Sequence, residues 1–451
     1  MRLRLMLSLI ILMSSQNIVS AELQLSLSLE HAIKQAQNND PWLSENKHKQ
    51  DSLDSKAISS GTLPDPRVTL GLANIAADNF DFNQENMTQL KAGISQMLPR
   101  GNTLELQTQK FQLLSGQNPY LRDDRKEQVS VTVTSLWLNA FEAKESIRLI
   151  ETDRELFEQL VEISEASYST AYGSTQQQDV VRAQLELTRL DDRLTKLKQQ
   201  QEVSQKQLGQ WVSGRFVQHY SMLDASTTAF NDIDTSFLPT LELRRRDLLD
   251  MDEQTLVEAL TKHPSILGVE SLIKASNTEI ELAKQKYKPQ WGVSASYGYR
   301  GNDAAGGNRA DLFSIGVSFD LPIFTEKRQD KQVQSAVSEA ESVKTKKWML
   351  LREMIAEFES AKVQLQRLNQ RNELYQQKLL PQIHEQAEAA LTAYTNDEGD
   401  FSEVVRARID VLDAELDKLA IDVERQKIIS KLNYFLSIPS NSQIEYIEEE
   451  G

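Results

Sequence analysis

No cysteine occurs among the 451 residues, which removes disulfides, thiol catalysis and zinc-thiolate sites together, and leaves no N-terminal cysteine to carry a lipid. Histidine is scarce: His31, His48, His219, His263 and His384 are dispersed, and His384-Glu385 lacks the second histidine of a zinc-protease helix. The nine methionines show no paired spacing suited to a soft metal. There is no G-x-S-x-G elbow and no G-x-x-x-x-G-K phosphate cradle, and the glycines between 301 and 307 sit between two strand-like segments, where a surface hairpin loop explains them. No catalytic residue, cofactor or resident metal is expected, and the chain is not read as an enzyme. Basic residues are too few and too scattered for nucleic acid: 50 Lys and Arg stand against 66 Asp and Glu, without the clustered positive charge that displaces counterions. Acids and bases alternate along helical segments, as on a solvated face; an acid-lined conduit for cations is the second reading of that pattern. No apolar run reaches the ~18 residues of a spanning helix. A membrane would have to be entered as strands.

What is present begins with residues 1–21, which read as a secretory signal: Arg2 and Arg4, an apolar run over 5–13, then Val19-Ser20-Ala21 as a small-residue cleavage site. Its removal places the mature chain outside the cytoplasm with 48 basic against 66 acidic residues.

The rest is a tandem duplication. Shifted by 223 positions, Pro41 meets Pro264, Pro66 meets Pro289, Gly93 meets Gly316 and Pro99 meets Pro322. These residues have backbone demands that mark element boundaries, so one constant offset reports a shared architecture. Ala171-Tyr172 pairs with Ala393-Tyr394, and Asp179-Val180-Val181 with Glu403-Val404-Val405, at offsets one residue either side.

Each half reads as short helices, a strand hairpin, then a long helical hairpin. The first repeat spans 22–213, with its strands at 67–98 and its helical hairpin at 103–213. The second spans 251–436, with strands at 291–321 and helices at 325–436. Residues 214–250 join the halves without a repeat counterpart and, with the acidic tail 437–451, are expected at the waist. In the second half Trp291, Val293, Ala295, Tyr297 and Tyr299 alternate with small or polar residues, as do Phe313, Ile315, Val317, Phe319 and Leu321. Val68, Leu70 and Leu72, then Leu90, Ala92 and Ile94, repeat this more weakly. Strands of about nine to eleven residues with one apolar face suit a tilted transmembrane strand. An ordinary half-buried hairpin would show the same alternation, but would normally sit among other strands.

Beyond the strands the period changes to heptads: Val129, Val133, Leu136, Ala140 and Ala143; Val180, Ala183, Leu187, Leu190 and Leu194; Val404, Ala407, Val411 and Ala414. From 325 to 392 the pattern runs about 68 residues, on the order of 100 Å, with a kink expected at Pro381. Gly116 to Pro119 is expected to break the equivalent first-half helix. Four strands cannot close a barrel, and open edges in a bilayer leave unpaired N–H and C=O groups, so other copies must complete the ring; three copies and twelve strands are the simplest solution.

Ala171-Tyr172-Gly173, Asp179-Val180-Val181-Arg182-Ala183-Gln184 and Leu379-Leu380-Pro381 leading to Ala393-Tyr394, together with the duplication and the signal, resemble the markers of the TolC family of outer-membrane efflux channels, over about residues 22–440. Leu63-Pro64-Asp65-Pro66-Arg67, the stretch from Gly93 to Pro99 with Gly101, and Gly399-Asp400-Phe401-Ser402-Glu403-Val404 look more like its heavy-metal branch, the copper/silver and cobalt/zinc/cadmium channels. The resemblance implies a mainly α fold with a small β part: long antiparallel coiled-coil helices forming an α-barrel tunnel, and four strands per chain completing a 12-stranded β-barrel in a homotrimer. It implies an outer-membrane location with a periplasmic extension, contact with outer-membrane lipid, and two protein partners, a periplasmic adaptor and an inner-membrane pump of RND type. The function implied is passive conduction in tripartite efflux. A drug-efflux or type I secretion exit channel of the same fold, and a periplasmic coiled-coil scaffold or adaptor, are the alternatives.

By the same resemblance the helix-helix turns lie at the periplasmic tip. Tyr172, Gly173, Ser174, Tyr394 and Gly399 then fall in the adaptor-docking turns, and Asp179, Arg182, Asp397, Asp400, Glu403 and Arg406 at the gate. Asp397 stands where the second turn usually has glycine. Arg182 and Arg406 stand three residues beyond the gate acids, so an Asp/Arg-type lock and an acidic cation ring both remain open. Exposed helix-start acids favoured by the helix dipole are the structural alternative.

Overall fold

A computed structural model describes residues 28–169, 177–212, 237–245, 252–303, 305–396 and 398–439. The signal segment, most of the 214–250 connector and the tail from 440 lie outside the described residues.

The duplication is visible element by element. Helix α1 (Leu29–Asn39) is capped by Ser28, whose Oγ accepts from the His31 N–H, and its counterpart α5 (Glu253–Leu260) by Asp252, which accepts from the Thr255 N–H. The next helices, α2 (Pro41–Ser60) and α6 (Pro264–Gln285), each begin with proline at the first helical position, where a missing N–H costs nothing. Their N-cap residues differ. Asp40 Oδ1 accepts from the Trp42 N–H at 3.1 Å and Oδ2 from Arg125 Nε at 2.7 Å. His263 Nδ1 accepts from the Ser265 N–H at 3.2 Å, which leaves the proton on Nε2 to be donated to the Tyr434 carbonyl at 3.0 Å. His263 has no exposed surface, and burial depresses its pKa to about 4. The Tyr434 hydroxyl donates in turn to Asp124 Oδ1 at 2.9 Å, and burial raises the pKa of that carboxyl.

Strands β1 (Arg67–Ala73) and β2 (Gln89–Leu98) follow α2, and β3 (Trp291–Tyr299) and β4 (Leu312–Phe319) follow α6. The two hairpins join edge to edge through β2 and β3, giving a single antiparallel sheet in the order β1-β2-β3-β4. Long helices leave its base: α3 (Thr103–Ser169) and α4 (Gln177–Val212) in the first half, then α7 (Gln329–Leu374), α8 (Leu380–Thr395) and α9 (Phe401–Phe435) in the second.

Helix α3 runs 67 residues without a break, on the order of 100 Å, so the expected interruption at Gly116 to Pro119 does not occur. An interior proline removes the donor for the carbonyl four residues back, here that of Ser115. Asn118 replaces it: its Nδ2 donates to the Leu114 and Ser115 carbonyls at 3.0 and 3.1 Å. Asn46 on α2 donates to Asn118 Oδ1 at 3.0 Å and accepts from Arg122 at 2.9 Å, while Ser115 Oγ donates to Asp54. Asn46, Asn118 and Ser115 are all buried, and this network holds α2 against α3 where the proline would otherwise weaken it.

Pro381 is accommodated differently. A π-helical turn, Tyr375–Leu379, is inserted ahead of it, with the Leu380 N–H donating to the Tyr375 carbonyl, and α8 restarts with the proline in its first turn. The segment from α7 through α8 thereby matches the length of α3.

Packing centres on α3 and α9. Around the waist, Trp137, Leu138, Phe141, Leu208 and Val212 form one core, and Leu256, Leu260, Ile266, Met354, Phe358, Leu432 and Phe435 form another. The described piece of the connector, 237–245, lies along this waist: the Leu241 N–H donates to Gln426 Oε1, Asn433 Nδ2 to the Glu242 carbonyl, and Arg244 pairs with Glu127 at 3.0 Å. A third core, farther down the hairpins, joins Phe157, Leu160, Ala183 and Leu190 to Phe401, Val404 and Val405. No described helix is long and apolar enough to cross a membrane.

Candidate functional site

The sheet separates its residues by face. Register places Leu70 opposite Ala92, Ala92 opposite Tyr297 and Tyr297 opposite Phe313, and likewise Val68, Ile94, Ala295 and Ile315 in one row. Because strand side chains alternate, one face carries Val68, Leu70, Leu72, Leu90, Ile94, Trp291, Val293, Tyr297, Phe313, Ile315, Val317 and Phe319. The other carries Thr69, Lys91, Ser95, Ser294, Ser296, Ser314, Ser318 and glycines. The apolar face is open: Leu70 is 78% and Ile315 74% exposed. A patch of this kind has no place in water and fits the hydrocarbon of a bilayer. Aromatics sit near its ends, with Trp291 packed on Phe319 at 4.9 Å between ring centres and Tyr299 stacked on Phe82 at 6.3 Å.

The polar face is built of small residues because its neighbours crowd it. A Cβ on Gly292 would lie 2.7 Å from both Met97 Sδ and Ser318 Oγ, so those two side chains would have to move to admit one. At the sheet's base Arg100 donates to the Lys288 carbonyl at 2.7 Å and pairs with Asp320, whose Oδ1 accepts from the Gln290 N–H at 2.6 Å. This knot ties β2 of one repeat to both strands of the other where sheet gives way to helix.

At the far end lie the helix-helix turns. Tyr172, Gly173, Ser174 and Asp397 fall outside the described residues. In the second turn the Glu398 N–H donates to the Ala393 carbonyl at 2.9 Å, and a Cβ on Gly399 would stand 2.7 Å from the Tyr394 nitrogen, so only glycine lets the chain pass so close to the end of α8. Tyr394 packs edge-on against Phe401 at 5.6 Å. Asp400 caps α9, its Oδ1 accepting from the Ser402 N–H at 3.0 Å, and Glu403 follows in the first turn, where the helix dipole favours an acid. Glu403 and Arg406 are exposed, as is Arg182, whereas Asp179 is buried in the first turn of α4. Among the described residues neither Glu403 nor Arg406 forms an ion pair. The structure thus brings Asp400, Glu403 and Arg406 together on one helix start, and sets Asp179 apart from them by its burial.

Sequence reasoning missed the contacts that join neighbouring helices above the turns, one of them between the two hairpins. Arg193 on α4 pairs with Asp413 on α9 at 2.5 Å, and Arg154 on α3 reaches Asp191 on α4 at 3.1 Å. His384 on α8 donates from Nδ1 to the Leu380 carbonyl at 2.8 Å, which leaves Nε2 facing Glu415 on α9 at 3.3 Å. Asp153 of α3 lies in the same field; burial, then the Glu415 charge, raises its pKa against the pull of Arg408 and His384. No spacing along the chain reveals such pairs, because they depend on the relative rotation of helices distant in sequence. Among the described residues no group of three His, Asp or Glu side chains converges as a metal site.

The sequence profile of the outer membrane efflux protein family matches residues 255–433, from α5 almost to the end of α9. No curated protein matches the sequence. Solved structures match along nearly the whole chain. The CusC channel superposes with a TM-score of 0.71 at 14% identity, covering 92% of this chain and 92% of that one. The CmeC outer membrane channel of Campylobacter jejuni gives 0.73 at 16%, covering 94% and 89%. The open state of the Neisseria gonorrhoeae MtrE channel gives 0.66 at 14%, covering 90% and 88%. At such identities the likeness speaks for the fold, and the profile adds the sequence signature of the second repeat. Residues 255–433 carry the signature of the outer membrane efflux protein family, and the described chain has the fold of these solved outer membrane channels.

Proposed function

We propose that three copies of this chain close a twelve-stranded barrel and conduct heavy-metal cations outward, delivered by an RND-type inner-membrane pump through a periplasmic adaptor. The observation that carries the channel reading is the four-stranded sheet, apolar on one face, small and polar on the other, and unpaired at β1 and β4. Each unpaired backbone group left in hydrocarbon costs several kcal/mol, so the edges demand partners, and three identical sheets joined β4 to β1 keep every pairing antiparallel. The chain supplies no energy and no chemistry; it positions a lumen faced by serine, threonine and glycine, with Lys91 on the same face.

The metal reading rests on the motif likeness of Leu63 to Arg67, Gly93 to Pro99 and Gly399 to Val404 to the heavy-metal branch. A deletion strain exposed to copper, silver, zinc, cobalt and common antibiotics tests it. Sensitivity to a metal, restored by the plasmid-borne gene, supports the reading; sensitivity to antibiotics alone replaces it with drug efflux. At the tip, Asp179, Arg182, Asp397, Asp400, Glu403 and Arg406 form the gate and the turns at Tyr172, Gly173, Ser174, Tyr394 and Gly399 receive the adaptor. Charge reversal of Glu403 or Arg406 is expected to change single-channel conductance in planar bilayers, and unchanged conductance removes the gate role.

A further inference from the structure

Where the sheet meets the helices, a cavity of about 820 Å³ opens between the ends of α2 and α6 and the start of α3. Its walls carry charges of both signs. Lys110 on α3 and Glu279 on α6 satisfy each other at 2.6 Å, and Arg100 is held by Asp320 and the Lys288 carbonyl. Two charges are left over. Asp65, on the α2–β1 wall, and Lys286, on the α6 wall, both line the cavity, are exposed, and form no ion pair with each other or with any other described residue.

The position of the cavity narrows its occupant. Asp65 lies two residues before β1 and Lys286 five before β3, so both stand just past the sheet, at the depth of the headgroups that border about 30 Å of hydrocarbon. One wall is tied to the apolar side of the sheet: Gln96, opposite Val293 in that face, donates from Nε2 to the Pro64 carbonyl at 2.7 Å. Next to it Leu63 is 57% exposed, and Leu104, Phe111 and Leu282 add apolar surface to the lining. The cavity therefore offers a cation, an anion and an apolar edge that leads toward the open face of the sheet.

A simple anion would be drawn to Lys286 but repelled by Asp65, and a simple cation the reverse. A dipolar group satisfies both. We propose that the cavity seats the phosphoethanolamine headgroup of a membrane phospholipid, its phosphate on Lys286 and its primary ammonium on Asp65, with an acyl chain leaving past Leu63 along the sheet. This rests on the membrane-spanning reading of the sheet given above. A primary ammonium brings three N–H donors to the carboxylate, which a quaternary choline lacks and a glycerol replaces with neutral hydroxyls. Headgroup selection follows from Asp65, and phosphate retention from Lys286.

Native mass spectrometry of the full mature chain, released from detergent with added phosphatidylethanolamine, phosphatidylglycerol or phosphatidylcholine of identical acyl chains, counts the lipids bound per chain. The expected result is one phosphatidylethanolamine per chain, held about three- to fivefold more tightly than either other lipid, the scale of one exposed charge contact. Lys286→Ala should weaken all three lipids; Asp65→Asn should lower phosphatidylethanolamine to the level of phosphatidylcholine and leave phosphatidylcholine unchanged. Both positions are exposed, and the oligomer mass read in the same spectra reports that each variant still folds. Equal affinities for the three lipids in the parent, or a preference that survives both substitutions, overturn the site while the channel stands. Water-soluble glycerophosphoethanolamine that binds as tightly as the lipid transfers the site to a soluble headgroup and overturns the membrane source. Single chains in place of trimers remove the membrane-spanning reading, and the boundary on which the cavity lies goes with it.

Discussion

Asp40 and His263 occupy one position of a duplicated fold and solve it by opposite electrostatics. Each caps a helix that opens with proline, 223 residues apart. Asp40 is an ion: Arg125 holds it at 2.7 Å, and the guanidinium in turn lies over the rings of Trp42 and Trp211 at 5.8 and 5.4 Å. His263 is neutral, edge-on to the Tyr434 ring at 4.8 Å and bonded to that residue's carbonyl. Duplication therefore preserved the backbone demand, a cap before a proline, while the charge carried by the cap was free to change once its surroundings changed with it.

The largest effect that tests this comparison is expected at the charged site. Asp40→Ala removes the cap and strands Arg125 against two indoles, and should destabilise the first-repeat waist by about 3 kcal/mol, seen as a lowered unfolding midpoint in detergent. Asp40→Asn keeps the cap and isolates the ion pair. If both variants melt with the parent, the pairing is ornamental.

The neutral site carries a pH signature of similar size. His263 holds its neutral form with a pKa near 4, against 6.5 for a free imidazole, so its contribution is complete above about 6.5 and is lost as pH falls toward 4, where the unfolded chain already binds a proton. The gap corresponds to about 3 kcal/mol. His263→Asn, which retains a capping oxygen, should flatten the fall in stability across that window relative to the parent protein. Parallel pH profiles for the two would show that His263 is not the group responsible.

The two prolines extend the comparison at a smaller scale. Asn118→Ala should cost about 2 kcal/mol, because it leaves the Ser115 carbonyl without a donor inside the α2–α3 contact. Combined with Pro119→Ala, which restores the backbone donor, the loss should shrink, and a double-mutant cycle with no coupling would contradict the proposed substitution of side chain for backbone. Pro381→Ala should change stability by under about 1 kcal/mol, since the π turn already serves the displaced carbonyls.

The prolines also show where sequence was readable. Constant spacing between Pro41 and Pro264 announced the repeat, and the alternation from Trp291 to Tyr299 and from Phe313 to Phe319 announced a sheet with one apolar face, because both signals are local and periodic. Pro119 misled for the opposite reason: whether a proline ends a helix depends on who replaces its donor, and the support behind Asn118 comes from Asn46, seventy-two positions away. The tip was legible as helix starts at Asp179 and Glu403, but not in the burial that separates them. The ion pair of Arg193 with Asp413 and the contact of His384 with Glu415 follow from helix rotation, which no periodicity along one chain encodes.

The central claim is that a sheet of four strands becomes a pore only in company. Native mass spectrometry of the protein released from detergent micelles measures this most directly. The account predicts three chains as the predominant species, dissociating together on heating. A stable single chain, with its apolar sheet face and both strand edges unshared, would contradict it.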